Sequence, residues 1–219
     1  MRLLMLAAPG AGKGTQGARI AEHFQITHIA TGDRLRDEVE RETPLGLEVK
    51  EQTEKGELVP DEVIIEMLRD PLVTATRAGG YVLDGFPRTL AQAQEGRRVA
   101  KELGVQAQAA LYLTVDDDEL VRRLLARAET EGRSDDNEET IKHRLELFHE
   151  VTQPVVQYYD RRGMVITVDA MRSIDEVAEE ILAKLEVLKP HLDTIETSDR
   201  TPADVVDVTA PAAAGAERG

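Results

Sequence analysis

The stretch Arg2-Leu3-Leu4-Met5-Leu6-Ala7-Ala8-Pro9-Gly10-Ala11-Gly12-Lys13-Gly14-Thr15-Gln16 decides the fold. Residues 2–7 form a short apolar run stopped by Pro-Gly, the signature of a buried strand. A glycine-rich turn follows, and residues 14–24 then carry a helical pattern. Glycines let the backbone turn tightly enough for successive N–H groups to point at phosphate oxygens. The helix adds the positive end of its dipole. Lys13 brings a mobile positive charge toward the β- and γ-phosphates, and Thr15 brings a hydroxyl. Gly10, Ala11, Gly12, Lys13, Gly14 and Thr15 are therefore candidate phosphate-binding residues.

The match to the P-loop pattern G-x-x-x-x-G-K-[ST] departs at two positions. Ala7 stands where the first glycine is usual, and Gly14 where Ser or Thr is usual. If the first position requires φ > 0 or leaves no room for a methyl group, Ala7 strains the loop and weakens activity.

Outward from this segment, strands and helices alternate. Strands are expected at residues 27–30, 81–83, 109–113 and 165–168. Helices are expected at 33–42, 45–55, from 60 onward with Pro71 interrupting or kinking it, 90–103 ending at Gly104, 117–127, 138–160 bent at Pro154, and 174–188. Five strands alternating with helices predict an α/β protein with a parallel sheet wrapped by helices. Ligands of such sheets bind at the carboxyl ends of the strands. After Lys189 the composition turns to Pro, Ala, Thr, Asp and Gly without periodicity, so residues 189–219 are expected to be a disordered acidic tail.

Composition narrows the function. The 219-residue chain suits one α/β domain with small insertions. It has no Cys, which excludes a disulfide framework and a thiolate zinc site. The N-terminal apolar run is too short for a signal peptide, and no segment approaches the ~18–20 apolar residues of a membrane span. A cytoplasmic protein is expected. A net charge of −15 disfavours nucleic acid and anionic membranes as partners.

A phosphate-binding turn implies a nucleoside triphosphate but names no acceptor. Three further segments do: Thr31-Gly32-Asp33-Arg34-Leu35-Arg36, Lys55-Gly56-Glu57-Leu58-Val59-Pro60-Asp61, and Leu83-Asp84-Gly85-Phe86-Pro87-Arg88-Thr89 with Gln92 a helical turn later. In this order and spacing the chain resembles the nucleoside monophosphate kinases, and within them the adenylate kinases, over residues 1–188. Gly-Lys-Gly-Thr at residues 12–15 is the adenylate kinase form of the loop, whereas Ala7 departs from it.

The resemblance implies a P-loop NTPase-type five-stranded sheet, a helical NMP-binding segment at about residues 30–59 and a short lid at about 127–133. It implies that ATP and AMP are the substrates and that the chain is a monomer. Arg36 and Arg88 bind the AMP phosphate, for which a guanidinium fork is suited. Glu57, Val59 and Gly85 line the AMP pocket, while Thr31 and Gln92 read the adenine. Arg123, Arg127 and the main chain at Arg172 contact ATP. Arg133 and Arg144 reach the transferring phosphoryl group and AMP. Asp84 and Thr15 lie near Mg²⁺, which is held through waters. Lys13, Asp84, Arg88, Arg123, Arg133 and Arg144 form the catalytic set. Only Ala128-Glu129-Thr130-Glu131-Gly132 separates Arg127 from Arg133, so a zinc-free short lid is expected. The related UMP/CMP kinases typically carry Ala at the Thr31 position and differ at Gln92, which favours AMP as acceptor. The alternatives are a kinase for another nucleoside monophosphate, UMP or CMP, and a nucleotide-binding paralogue weakened by Ala7.

Overall fold

The computed structural model describes residues 1–131 and 137–194. Five parallel strands, β1 (Arg2–Ala7), β2 (Thr27–Ala30), β3 (Tyr81–Asp84), β4 (Ala109–Thr114) and β5 (Val165–Asp169), form one sheet in the order β2-β3-β1-β4-β5. Strand β1 lies at the centre, pairing Met5 with Asp84 on one side and Ala7 with Leu113 on the other. This register brings Ala7, Ala30, Asp84 and Thr114 to the same carboxyl edge.

Helices cover both faces, which is why β1 is apolar at successive positions and does not alternate. Leu3, Met5 and Ala7 point into a core with Ile20, Leu120, Leu124, Ile181 and Leu185. Leu4 and Leu6 point into the opposite core with Leu68, Phe86, Ala93, Val155 and Tyr159. The first face belongs to α1 (Lys13–Phe24), α6 (Asp117–Glu131), α7 (Glu138–Leu147) and α9 (Ile174–Thr194); the second to α4 (Asp61–Arg77), α5 (Leu90–Leu103) and α8 (Gln153–Asp160). Among the described residues no helix is long and apolar enough to cross a membrane.

Two further helices, α2 (Thr31–Glu40) and α3 (Pro44–Lys55), form the segment between β2 and α4. Thr43 caps α3 by accepting from Gly46 N at 3.0 Å, and Pro44 occupies the first turn, where its missing N–H costs no helical bond. Gly56 ends α3 at φ +71, a left-handed conformation that glycine adopts without strain.

Several boundaries differ from the sequence expectation. Helix α2 starts at Thr31 rather than residue 33, because Thr31 and Leu35 share its buried face. Pro71 leaves α4 continuous from Asp61 to Arg77, with Leu68, Leu72 and Ala75 buried along it. The helix expected over 138–160 is divided: α7 ends at Leu147, Phe148–Thr152 form a π-helical turn, and α8 begins with Pro154 in its first turn. Helix α6 runs on to Glu131, so the first residues of the expected lid prolong a helix. Helix α9 passes through Pro190 to Thr194. Residues 189–194 are therefore helical, and the tail expected from 189 is corrected there. Leu192 is buried and its carbonyl accepts from Gln108 Nε2, which holds this last turn on the core. The rest of the expected tail lies outside the described residues.

Candidate active site

The turn after β1 carries its two left-handed residues at Gly10 (φ +84) and Gly12 (φ +92). A methyl group on Gly10 would meet Leu124 Cγ at 2.9 Å and the Leu120 carbonyl at 3.1 Å, so the loop touches α6 where only glycine fits. Ala7, by contrast, is the last residue of β1 and keeps an ordinary negative φ. Its methyl group belongs to the core with Leu113 and Leu120. Neither condition under which Ala7 would strain the loop is met; the left-handed positions of the turn are 10 and 12.

Lys13 opens α1 and folds back over the loop. Its Nζ donates to the carbonyls of Ala7 at 2.9 Å and Ala8 at 3.1 Å. An ammonium has three donors, so one proton is left for a phosphate oxygen. Burial lowers the Lys13 pKa to about 8; Asp84 opposes the shift, while Arg88, Arg144 and Arg127 add to it. By accessible area the residue as a whole is only half-buried. The depression thus reflects an ammonium enclosed by neighbouring atoms and crowded by like charges.

Asp84 ends β3 at the same sheet edge. The chain then turns at Gly85 (φ +85) and passes the cis Phe86–Pro87 bond to Arg88. Arg88 Nε donates to the Gly85 carbonyl at 2.9 Å, which fixes the root of its guanidinium. Ala7, Lys13, Gly56, Leu58, Gly85, Arg88 and Arg144 line a single cleft. Gly56 is closely packed there, since a Cβ on it would lie 2.9 Å from Arg144 Cγ and Cδ.

The remaining expected site residues occupy the surrounding elements. Thr31 is buried beside Gly85, and its Oγ1 makes no hydrogen bond. Gln92, also buried, sits in the first turn of α5 below the Thr89 cap. Val59 is buried, whereas Glu57, Gly14 and Thr15 are exposed. Arg36 pairs with Asp33 on α2 and does not line the cleft. Arg123 donates to Glu119 Oε1 at 2.6 Å and to the Ala170 carbonyl at 2.9 Å, so it links α6 to the loop after β5. In that loop Arg172 donates to the Asp169 carbonyl and pairs with Glu180, which leaves its main chain at the sheet's edge. Arg133 lies outside the described residues.

Three supporting residues escape the sequence reading. Glu119 holds Arg123, Asp61 holds Gln92, and Gln16 ties α1 to the Ile174 carbonyl at 2.9 Å. Asp61 ends one of the acceptor-site segments, which was its only signal. Glu119 lies one helical turn before Arg123, a spacing that favours ion pairs.

A central strand, a glycine turn around Lys13 and a cleft of arginines at the carboxyl edge define a P-loop phosphotransferase. The adenylate kinase family model matches residues 5–164. The chain is similar to the adenylate kinase of Kocuria rhizophila, 49% identical over 185 residues that cover 84% of this chain and 98% of the relative. It is also similar to that of Thermus thermophilus, 47% identical over 84% of this chain and 97% of the relative, and to that of a Nocardioides species, 46% identical over 86% and 98%. The chain belongs to the adenylate kinase family.

Proposed function

We propose that this cleft carries reversible, Mg²⁺-dependent phosphoryl transfer from ATP to AMP, giving two ADP, in a monomeric cytoplasmic protein that maintains the adenine nucleotide pool. The observation that carries the reading is one cleft at the carboxyl edge of the sheet that gathers Lys13, Arg88 and Arg144, with Asp84 and Arg127 near enough to act on the Lys13 charge, in a protein of net charge −15. Gathered cations of this kind favour phosphate oxygens.

Phosphoryl transfer requires in-line positioning and neutralised charge more than covalent help from the protein. Lys13 holds the donor's β- and γ-phosphates over the loop N–H groups. Arg88 and Arg36 take the acceptor phosphate, Arg123 and Arg127 hold ATP, and Arg123, Arg133 and Arg144 balance charge on the group in flight. The acceptor phosphate is already ionised, so no general base is needed. Asp84 and the Thr15 hydroxyl are hard oxygen donors near the phosphate loop, suited to Mg²⁺ that keeps its waters. When bound, that ion neutralises phosphate charge.

Thr31 and Gln92 support AMP over pyrimidine acceptors: both are buried polar side chains flanking the Gly85 turn, and Thr31 Oγ1 is unsatisfied. ADP formation from ATP and Mg²⁺ with AMP, CMP, UMP, GMP and dTMP as separate acceptors tests the reading. Fast turnover with AMP alone is expected. Preference for UMP or CMP overturns the assignment of Thr31 and Gln92.

A further inference from the structure

The amide of Gln92 is held at both ends. Its Oε1 accepts from the Arg88 backbone N–H at 2.8 Å, and its Nε2 donates to Asp61 Oδ1 at 2.8 Å. A backbone N–H can only donate and an ionised carboxylate can only accept, so the two partners permit one amide orientation. The assignment of oxygen and nitrogen therefore follows from the chemistry of the neighbours rather than from the shape of the side chain. Gln92 is 2% exposed, which leaves no water to compensate a reversed amide.

We infer that Asp61, at the start of α4, is a specificity-determining positioning residue that sets which purine edge Gln92 accepts. The inference rests on the proposal that Gln92 reads the acceptor base. A carboxamide carbonyl has a second lone pair and its amino group a second proton. In the orientation fixed here these match adenine, whose edge offers the N6 amino donor and the N1 acceptor. A 6-oxopurine offers the reverse, an oxygen acceptor and an N1–H donor. Receiving it requires the amide to turn over, which sets the Gln92 carbonyl against the Asp61 carboxylate and its amino group against the Arg88 N–H. Asp61 thus excludes the 6-oxopurine without touching it, in the way a mismatched buried polar group rejects a wrong substrate.

A purely structural role is the competing explanation, because an acidic residue in the first turn also stabilises α4. The test compares kcat/KM for AMP and for inosine monophosphate, with the KM for ATP measured alongside, in the parent protein and in Asp61→Ala, Asp61→Asn and Gln92→Ala. Asp61→Ala is expected to lower the AMP-to-IMP ratio about tenfold, as for an unmade buried hydrogen bond, and to leave the ATP KM unchanged. Asp61→Asn keeps an oxygen that accepts from Gln92 and is expected to retain most of the ratio. Should Asp61→Ala be too unstable to assay, Asp61→Ser, too short to reach Gln92, gives the same change. A ratio that collapses in Gln92→Ala but is untouched in Asp61→Ala overturns the inference alone. A ratio untouched in Gln92→Ala overturns the base-reading role of Gln92 and the inference with it.

Discussion

Ala7 and Lys13 show how single positions govern the phosphate loop. Ala7 is a strand residue with its methyl group in the core, so restoring glycine there removes packing and adds backbone freedom. Ala7→Gly is expected to lower stability by about 0.5–1 kcal/mol in urea denaturation and to bring no gain in kcat/KM. A rise in kcat/KM would contradict this placement of the strain-bearing positions at Gly10 and Gly12. Lys13 makes a pH-dependent prediction. Its pKa in the free protein, about 8, lies below the ordinary 10.5 of the unfolded chain. Between those values the unfolded chain binds more protons, so this lysine's contribution to stability rises as pH rises through the window; below it, the full cost of the buried charge is present. Triphosphate beside Lys13 supplies the missing counter-charge and returns the pKa upward. ATP binding near pH 8 is thus expected to take up about half a proton at this site, and almost none near pH 6. Calorimetry in buffers of different ionisation enthalpy measures the uptake, and identical heats at pH 8 would refute it.

Elements were legible where their signals are local. The run 2–16 states strand, turn and helix in adjacent residues, and Gly104 marks the end of α5. The ends of α2 and α9 were not legible, because distant contacts set them. Composition places a tail from residue 189, yet α9 continues because Leu192 meets a partner 84 residues earlier in the chain, Gln108. The same holds inside the site. The phosphate loop and the residues carried by the family resemblance could be located on their elements, but Asp61 acts through Gln92, 31 residues away, and no pattern in the chain joins them. The break between α7 and α8 is intermediate: Pro154 announced a distortion, and its form, a π-helical turn ahead of the proline, depended on Phe148 and Val155 both being buried. The α9 extension is testable at its own scale. Leu192→Ala removes a fully buried side chain and is expected to destabilise the protein by about 2–3 kcal/mol, read as a lower denaturation midpoint. If Leu192→Ala were neutral, the last turn of α9 would not belong to the core.

The whole molecule must exclude water from the cleft, since phosphoryl transfer to water is ATP hydrolysis. Its architecture offers a moving part. Helices α2 and α3 pack on each other so closely that a Cβ on Gly46 would lie 1.9 Å from the Glu38 carbonyl, and Thr43 ties the two by bonding both Gly46 and Glu38. This pair follows Ala30 of β2, which lies beside Asp84, and ends at Gly56, whose left-handed turn adjoins Arg144. Leu35 and Val49 pack into the second core, so movement of the pair combines a hinge at its two chain connections with shear along that contact. Closure is expected to bring Arg36, which stands outside the cleft lining, toward the proposed acceptor phosphate. The absence of Cys makes the motion directly measurable, because Lys50→Cys and Glu129→Cys place two dyes on exposed positions of α3 and α6 with no competing thiol. Energy transfer between them is expected to rise when Mg²⁺, ATP and AMP are added together and to stay near its starting value with Mg²⁺ alone. Holding the same two positions apart with a rigid cross-linker is expected to suppress kcat and to leave ATP binding measurable. Unchanged transfer at saturating nucleotide, or full kcat in the cross-linked protein, would mean that the cleft already has its working shape, and that Arg36 lies too far out to take the acceptor phosphate.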